Sequence, residues 1–192
     1  MASVLLPLAE GFEEIEAVAL IDIMRRGGIE VVSIYLDGEL VTGANGITIR
    51  GDKSIDDIDG DKFDMVVLPG GWGGTDILAT DSRVQSILKE FKSKDKYIGA
   101  MCAAPYALHI AEVLSHNYTC YPSVEEKIRL DGYSDTQNVV IDGKVITSRG
   151  PGTAICFGLS IIKELVDEES YRAVKSGTLS EFCKMSTFDS MK

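Results

Sequence analysis

The sequence predicts an α/β protein in which βαβ units surround a mostly parallel central sheet. Short apolar runs alternate with longer amphipathic runs along the chain, and this alternation is typical of such a fold. The 192 residues suffice for one domain with a sizeable core, and neither an internal repeat nor a linker is found. We therefore expect a single domain over residues 1–192.

The strands are predicted where short runs rich in Val, Ile and Leu are bounded by turn residues. Asp37-Gly38 and Ala44-Asn45-Gly46 mark two turns with short strands about them, and Asp142-Gly143 indicates a tight hairpin. In chain order, the main strands are predicted at Val4–Pro7, Glu30–Leu36, Met65–Leu68, Tyr97–Met101, Val139–Ile141 and Val145–Ser148.

The helices are predicted where apolar residues recur with helical spacing between these strands. The first helix is stopped by Gly27-Gly28, and the third carries Pro105 in its first turn, where a missing N–H costs nothing. The highly acidic stretch Asp52–Asp64 is predicted to be a solvated loop. In chain order, the helices are predicted at Glu13–Arg26, Asp81–Lys92, Ala103–Leu114, Ala154–Val166 and within Glu168–Lys175.

The net charge and the cysteines argue against several classes of protein. Lys and Arg number 19 against 30 Asp and Glu, a net charge of −11, whereas binding to nucleic acids or anionic membranes needs clustered basic side chains. Neither a signal peptide nor a membrane-spanning run is readable, so we expect a cytoplasmic protein. No C-x-x-C pair is present, which argues against a metal site and a disulfide framework. Four free thiols are therefore expected, at Cys102, Cys120, Cys156 and Cys183.

Cys102 is the first candidate for chemistry, because it stands between an apolar strand and the next predicted helix. A nucleophile at such a turn is exposed at the carboxyl edge of the sheet. The helix N-terminus that follows favours negative charge and would lower the pKa of the thiol from about 8.5. A buried structural cysteine fits this position equally well. The surrounding residues must decide between the two.

Glu16 favours the catalytic interpretation. Helical spacing places it on the apolar face of the first helix together with Leu20 and Ile23. Burial there should raise its pKa, and a protonated carboxyl can donate a hydrogen bond to a thiolate or act as a general acid and base. The preceding acids Glu13 and Glu14 are instead interpreted as residues at the start of the helix that interact favourably with the positive end of the helix dipole.

Two loops are predicted to complete the site. Gly70-Gly71 directly follow a strand, and their backbone amides could form an oxyanion site, although strands commonly end in such turns. No Gly-Lys-Ser/Thr follows, which argues against nucleotide binding. Trp72 would line a pocket or cover the sheet edge. Arg149 would orient groups at the same edge or simply lead into the last long helix.

Five segments of the chain together resemble the ThiJ/PfpI family and, within it, the DJ-one-like branch. They follow the order of the family over nearly the whole chain, which makes the resemblance highly specific. It implies a flavodoxin-like three-layer α/β/α sandwich that is usually a homodimer and works without a cofactor. The segments are Gly11–Glu16, Met24–Ile29, Val66–Gly71, Ala100–Pro105 and Thr147–Thr153.

The resemblance also implies roles for individual residues. The reactive nucleophile would be Cys102, in a strained turn and hydrogen-bonded to a protonated Glu16. The oxyanion donors would be the backbone amides of Gly71 and Ala103. These assignments agree with those reached from the residues alone.

Three positions depart from the family pattern. Ala103 stands where members with peptidase character have a His, so proteolysis is not expected. Tyr121-Pro122 stand where the DJ-one-like branch has a His-Pro pair, and Tyr is a poor base at neutral pH. Asn45 stands where that branch places an Arg near the cysteine, so attraction of anions should be weaker. With Trp72 and Arg149, we expect Tyr121 and Asn45 to line the pocket.

Several functions stay open at this stage. The first is a glutathione-independent glyoxalase or protein deglycase that acts in stress defence on methylglyoxal, glyoxal and their adducts. The second is an oxidative-stress sensor or redox-regulated chaperone that works through oxidation of Cys102. A third is a small-molecule amidase or transferase, and a purely structural domain is the alternative without chemistry.

Overall fold

The computed structural model describes residues 1–184, and a seven-stranded sheet lies at its centre. Within these residues the strands are β1 Ser3–Leu8, β2 Glu30–Tyr35, β3 Leu40–Thr42, β4 Thr48–Arg50, β5 Lys53–Ser54, β6 Met65–Leu68, β7 Tyr97–Met101, β8 Val139–Asp142 and β9 Val145–Ser148. The strand order is β5-β2-β1-β6-β7-β9-β8, and only the β8–β9 pair is antiparallel. Strands β3 and β4 form a separate hairpin.

The helices cover both faces of this sheet. They are α1 Glu14–Arg26, α2 Trp72–Thr80, α3 Ser82–Ser93, α4 Pro105–Ile110, α5 Glu125–Ile128, α6 Ala154–Leu165 and α7 Glu168–Gly177. One core lies between the sheet and α1, α6 and α7, and a second lies between the sheet and α2, α3 and α4. The three-layer arrangement confirms the predicted fold class.

Helix α1 buries the face that its periodicity predicts. Glu16, Ala17, Leu20, Ile23 and Met24 are all buried against the first core. The helix ends at Gly27, where a Cβ atom would lie 2.5 Å from Cγ1 of Ile162 on α6. This close approach favours glycine at position 27, where the end of α1 packs against α6.

Three helices differ from the sequence prediction, and one of them, the short helix α5, was not predicted at all. Helix α2 was also not predicted, because its first turn contains two helix-weakening glycines, Gly73 and Gly74. Gly74 lies so close to the loop before α1 that a Cβ there would be 3.0 Å from the amide nitrogen of Phe12. The helix predicted over Ala103–Leu114 is limited to α4, because Glu112 adopts a left-handed conformation with φ of 61°.

The expectation of four free thiols is wrong for two of them. Cys156 on α6 and Cys183, in the segment after α7, form a disulfide. Their separation of 27 positions leaves no short-range motif by which the pairing could be recognised. Cys102 and Cys120 are free and buried. Within residues 1–184, none of the helices combines the length and apolar character needed to span a bilayer.

Candidate active site

Cys102 lies in a strained turn at the carboxyl end of β7. Its φ is 59°, a conformation that non-glycine residues rarely adopt. Two backbone hydrogen bonds hold it there: its amide donates to the carbonyl of Ser148 (3.0 Å), and its carbonyl accepts from the amide of Tyr121 (2.9 Å). Strain at such a position is typical of functional sites. The residue is only 8% exposed, which is less than the sequence prediction implied.

Glu16 reaches the same point from α1 and is fully buried. Its Oε2 atom accepts a hydrogen bond from the amide of Gly70 at 2.6 Å. A Cβ atom on Gly70 would lie 2.5 Å from Cβ of Cys102 and 2.6 Å from Oε2 of Glu16. The carboxyl and the cysteine therefore flank a position that only glycine can occupy.

The electrostatics of the pair differ from the prediction in one respect. Burial raises the pKa of Glu16 to about 7, although hydrogen bonds from Cys102 and Gly70 act in the opposite direction. Burial also raises the pKa of the Cys102 thiol, and the charge of ionised Glu16 raises it further. The expected net lowering of the thiol pKa is therefore wrong, because burial and the charge of Glu16 outweigh the backbone amides that act to lower it. The two groups titrate as a coupled pair that carries at most one negative charge near neutral pH.

Two backbone amides face the sulfur of Cys102. Those of Gly71 and Ala103 act as hydrogen-bond donors to it and oppose the rise in its pKa. Gly71 has a φ of 89°, and a Cβ there would lie 2.6 Å from the amide nitrogen of Glu13. Glycine is thus required where the chain turns from β6 into α2. The amides lie where negative charge on sulfur, or on an oxygen bonded to the attacked carbon, would be stabilised.

One oxygen of Glu16 accepts no hydrogen bond of satisfactory geometry from the described residues, although the Cys102 thiol interacts with the carboxyl. Oε1 is buried, and no geometrically satisfactory donor or acceptor approaches it among residues 1–184. An unsatisfied buried carboxyl oxygen costs free energy unless a proton or a ligand engages it. Glu16 therefore has one oxygen committed to the backbone and one available for proton transfer.

Comparisons with known proteins define the family. The DJ-1/PfpI family model matches residues 2–164. The chain belongs to this family. It is 41% identical to Protein dj-1beta of Drosophila melanogaster over 181 residues, which cover 92% of this chain and 96% of the relative. The crystal structure of that relative matches with a TM-score of 0.89, covering 93% of this chain and 97% of the relative.

Two further relatives carry an activity in their names. Glutathione-independent glyoxalase DJR-1.2 of Caenorhabditis elegans is 37% identical over 169 residues, covering 88% of this chain and 90% of the relative. Glutathione-independent glyoxalase DJ-1 of Schizosaccharomyces pombe is 33% identical over 185 residues, covering 91% and 96%. The resemblance seen in the sequence is confirmed, and the relatives support a glyoxalase of the DJ-1 type.

Two of the predicted pocket residues border the site. The backbone amide of Tyr121 contacts Cys102, and its half-exposed ring lies over Gly150, where a Cβ would be 3.2 Å from the ring. Trp72 follows the oxyanion glycine and is 40% exposed. Its ring centroid is 5.8 Å from that of Tyr106 and 5.1 Å from Nζ of Lys127. The role of both rings in lining a pocket stays a prediction.

The other two predicted pocket residues contact different groups. Burial raises the pKa of the Cys120 thiol to about 12, and the positive charge of nearby Arg149 opposes this rise only in part. Asn45 lies in the β3–β4 hairpin and donates to Glu14 from its backbone nitrogen at 2.6 Å and from Nδ2 at 2.9 Å. Within this chain, Asn45 thus holds a carboxylate of α1, and no described contact joins it to Cys102.

Sequence reasoning missed the role of Glu14. It is 5% exposed, and besides interacting with the helix dipole it accepts hydrogen bonds from the β3–β4 hairpin. Burial opposes its ionisation, but hydrogen bonds from Asn45 and from the amide of Ile47 outweigh burial and lower its pKa. Because these partners lie more than 30 positions away, no local pattern could have revealed them.

The described residues contain no arrangement suited to a metal. Over residues 1–184, no group of three or more His, Cys, Asp or Glu side chains is placed to hold a metal ion. The groups gathered at the carboxyl edge of the sheet are a thiol, a carboxyl and two backbone amides. This set suits nucleophilic addition to a carbonyl carbon together with proton transfer.

Proposed function

We propose that this protein is a cysteine-dependent, glutathione-independent glyoxalase that converts methylglyoxal to lactate and glyoxal to glycolate. The observation that carries the proposal is the buried Glu16, which has one free carboxyl oxygen, beside Cys102 and beneath two amide donors. The glyoxalase names of two relatives support the same substrate class.

The first chemical step forms a hemithioacetal. The sulfur of Cys102 attacks the aldehyde carbon while the thiol proton passes to ionised Glu16. The amides of Gly71 and Ala103 stabilise the charge that develops on the carbonyl oxygen. Glu16 then returns the proton to this oxygen and is again a carboxylate, ready to act as a base.

The second step moves hydrogen between the two carbons of the substrate. Glu16 removes the proton from the carbon bonded to sulfur and passes it to the ketone oxygen, which gives an enediol. It then takes the proton of the hydroxyl on the sulfur-bearing carbon and delivers it to the neighbouring carbon. The former aldehyde carbon is oxidised to a thioester and the ketone carbon is reduced to an alcohol. Water cleaves the thioester to release lactate and restore Cys102. No external oxidant or reductant is needed.

The experiment measures lactate formed from methylglyoxal in the absence of glutathione. Cys102→Ser and Glu16→Gln should each lower kcat/KM by at least about 10³-fold, whereas Cys120→Ser, which removes the other free thiol, should retain activity. Because Glu16 acts as a base, kcat/KM should rise with pH through an apparent pKa of about 7. Full activity of Cys102→Ser would refute the mechanism.

Adducts of these aldehydes with amines or thiols form a second substrate class within the same proposal. Release of lactate from a hemithioacetal or aminocarbinol, faster than the adduct dissociates by itself, would support deglycase action. Lactate release limited by spontaneous dissociation would leave only free aldehydes as substrates.

Oxidation sensing through Cys102, the alternative expected from the sequence, is not favoured by the geometry. The thiol is only 8% exposed, and burial together with the charge of Glu16 raises its pKa. Thiolates that oxidise readily are accessible and have a low pKa. The redox alternative and the cytoplasmic location stay predictions.

We further infer that the chain forms a homodimer through α1 and the β3–β4 hairpin. Ile15 and Val18 lie on the solvent side of α1 and are 60% and 48% exposed. Ile47, which is 56% exposed, lies beside them because its amide donates to Glu14 of the same helix. Light scattering should give a dimer for the wild type and a monomer for Val18→Asp. Ile110→Asp, on the opposite face of the sheet, should stay dimeric.

A further inference from the structure

The Cys156–Cys183 disulfide has no role in the chemistry proposed for Cys102. Cys156 lies in the first turn of α6, and Cys183 lies in residues 178–184, which we call the C-terminal segment. The disulfide therefore joins a core helix to the stretch of chain that follows α7. Both cysteines are nearly buried, at 6% and 3% exposure.

The two cysteines nevertheless line a cavity. Within the described part of the chain it has a volume of about 400 Å³, and its walls include Tyr133, Leu159 and Tyr171. This volume is within the range of small-molecule sites. A small dithiol that enters the cavity therefore meets walls that include both cysteines of the disulfide.

The C-terminal segment forms its hydrogen bonds locally. Among the described residues, the amide of Thr178 donates to Val174 at 2.9 Å and that of Ser180 donates to Lys175 at 3.0 Å, both on α7. Its apolar residues Leu179 and Phe182 point to solvent, at 85% and 60% exposure. The disulfide is thus the covalent link between this segment and α6.

We propose that the Cys156–Cys183 disulfide is an exchangeable redox site that fastens the C-terminal segment to α6. A thiolate of a dithiol reductant attacks one sulfur, the S–S bond breaks and a mixed disulfide forms. The second thiol of the reductant then displaces the protein sulfur, and the reductant leaves as a cyclic disulfide. Two electrons pass to the protein, and the two protons of the dithiol end on Cys156 and Cys183. The segment is then released from α6.

The first experiment counts thiols in full-length protein that carries Cys102→Ser, so that the nucleophile cannot contribute. Folded protein is incubated with dithiothreitol and freed of the reductant by rapid desalting. It is then denatured and alkylated, and its mass is measured. We expect one alkylated thiol, Cys120, without reductant and three after treatment of the folded protein. Three thiols without reductant, or one thiol until the protein is denatured, would overturn the proposal.

The second experiment follows hydrogen exchange in the C-terminal segment. Reduction should accelerate exchange of its amides by at least about tenfold at labelling times too short for α3 to exchange by global unfolding, and should leave peptides from α3 unchanged at those times. Cys183→Ser should exchange at the fast rate without reductant and show no further response, whereas Cys120→Ser should respond like the wild type. Unchanged exchange in the segment, or equal acceleration in α3, would show that the disulfide does not act as a local fastening. Neither experiment depends on glyoxalase activity.

Discussion

Glu16→Gln should make the protein more stable at alkaline pH. The amide oxygen of the glutamine can accept the hydrogen bond from Gly70 that Oε2 accepts at 2.6 Å. Its NH₂ group then faces Cys102, as a protonated carboxyl would. The variant therefore imitates the neutral form of Glu16 at every pH, whereas the wild type must ionise a buried group as the pH rises.

The magnitude follows from the shifted pKa. Burial raises the pKa of Glu16 from 4.5 to about 7 in the folded protein, so between these values the folded state holds a proton that the unfolded state has lost. The stabilisation is complete below pH 4.5 and is lost as the pH rises through about 7. At about 1.36 kcal/mol per pKa unit, the wild type loses about 3 kcal/mol that Glu16→Gln keeps.

Urea denaturation of both proteins at pH 5 and pH 8.5 measures this difference. The free energy of unfolding of Glu16→Gln minus that of the wild type should increase by about 2–3 kcal/mol from pH 5 to pH 8.5. Glu14→Gln is the matched control on the same helix. Because its pKa is lowered, the Glu14 carboxyl is already ionised at pH 5. The difference in the free energy of unfolding between Glu14→Gln and the wild type should therefore be the same at both pH values. A constant difference for Glu16→Gln would refute the burial argument.

Three further variants test other features of the structure. Gly70→Ala should lower kcat at least about tenfold, because the added Cβ would collide with Cys102 and Glu16. Gly38→Ala is the control and should be neutral, because no atom lies within 4 Å of the added Cβ. Equal activity of the two variants would contradict the packing around Gly70. Cys183→Ser should lower the free energy of unfolding, measured in urea, by about 3.5 kcal/mol, because the disulfide closes a loop between cysteines that are 27 positions apart. A loss below about 1 kcal/mol would count against this prediction. Asn45→Ala should raise the pKa of Glu14 in an NMR titration, and an unchanged value would contradict the hydrogen bonds seen.

Local periodicity was sufficient to predict the parallel sheet and the burial of Glu16. The residue falls on a helix face whose other members are apolar, and the structure buries that whole face. The same reasoning failed for Glu14, because its partners Asn45 and Ile47 are brought to it by the hairpin. Helical spacing identifies the inward face of a helix but not the distant groups that make burial of a carboxylate favourable.

The thiol pKa and the disulfide were beyond prediction for a similar reason. The helix N-terminus after Cys102 is visible in the sequence, whereas the burial of the thiol and the charge of Glu16 arise only when α1 packs against the sheet. Likewise, Cys156 and Cys183 meet only after α7 has folded back along α6. The existence of α2 also depends on tertiary contact, because its glycines are fixed by the neighbouring loop.

The first turn of α1 carries two buried acids that connect the β3–β4 hairpin to the reactive site. Glu14 accepts hydrogen bonds from the turn of the hairpin, and Glu16, two residues further on, lies beside the nucleophile. A displacement of the hairpin, whether by a mutation or by a molecule that binds its surface, would tilt this turn and alter the spacing of the reactive pair. Replacing the hairpin is therefore a way to adjust the chemistry of Cys102 from the protein surface, without changing any residue that contacts the substrate.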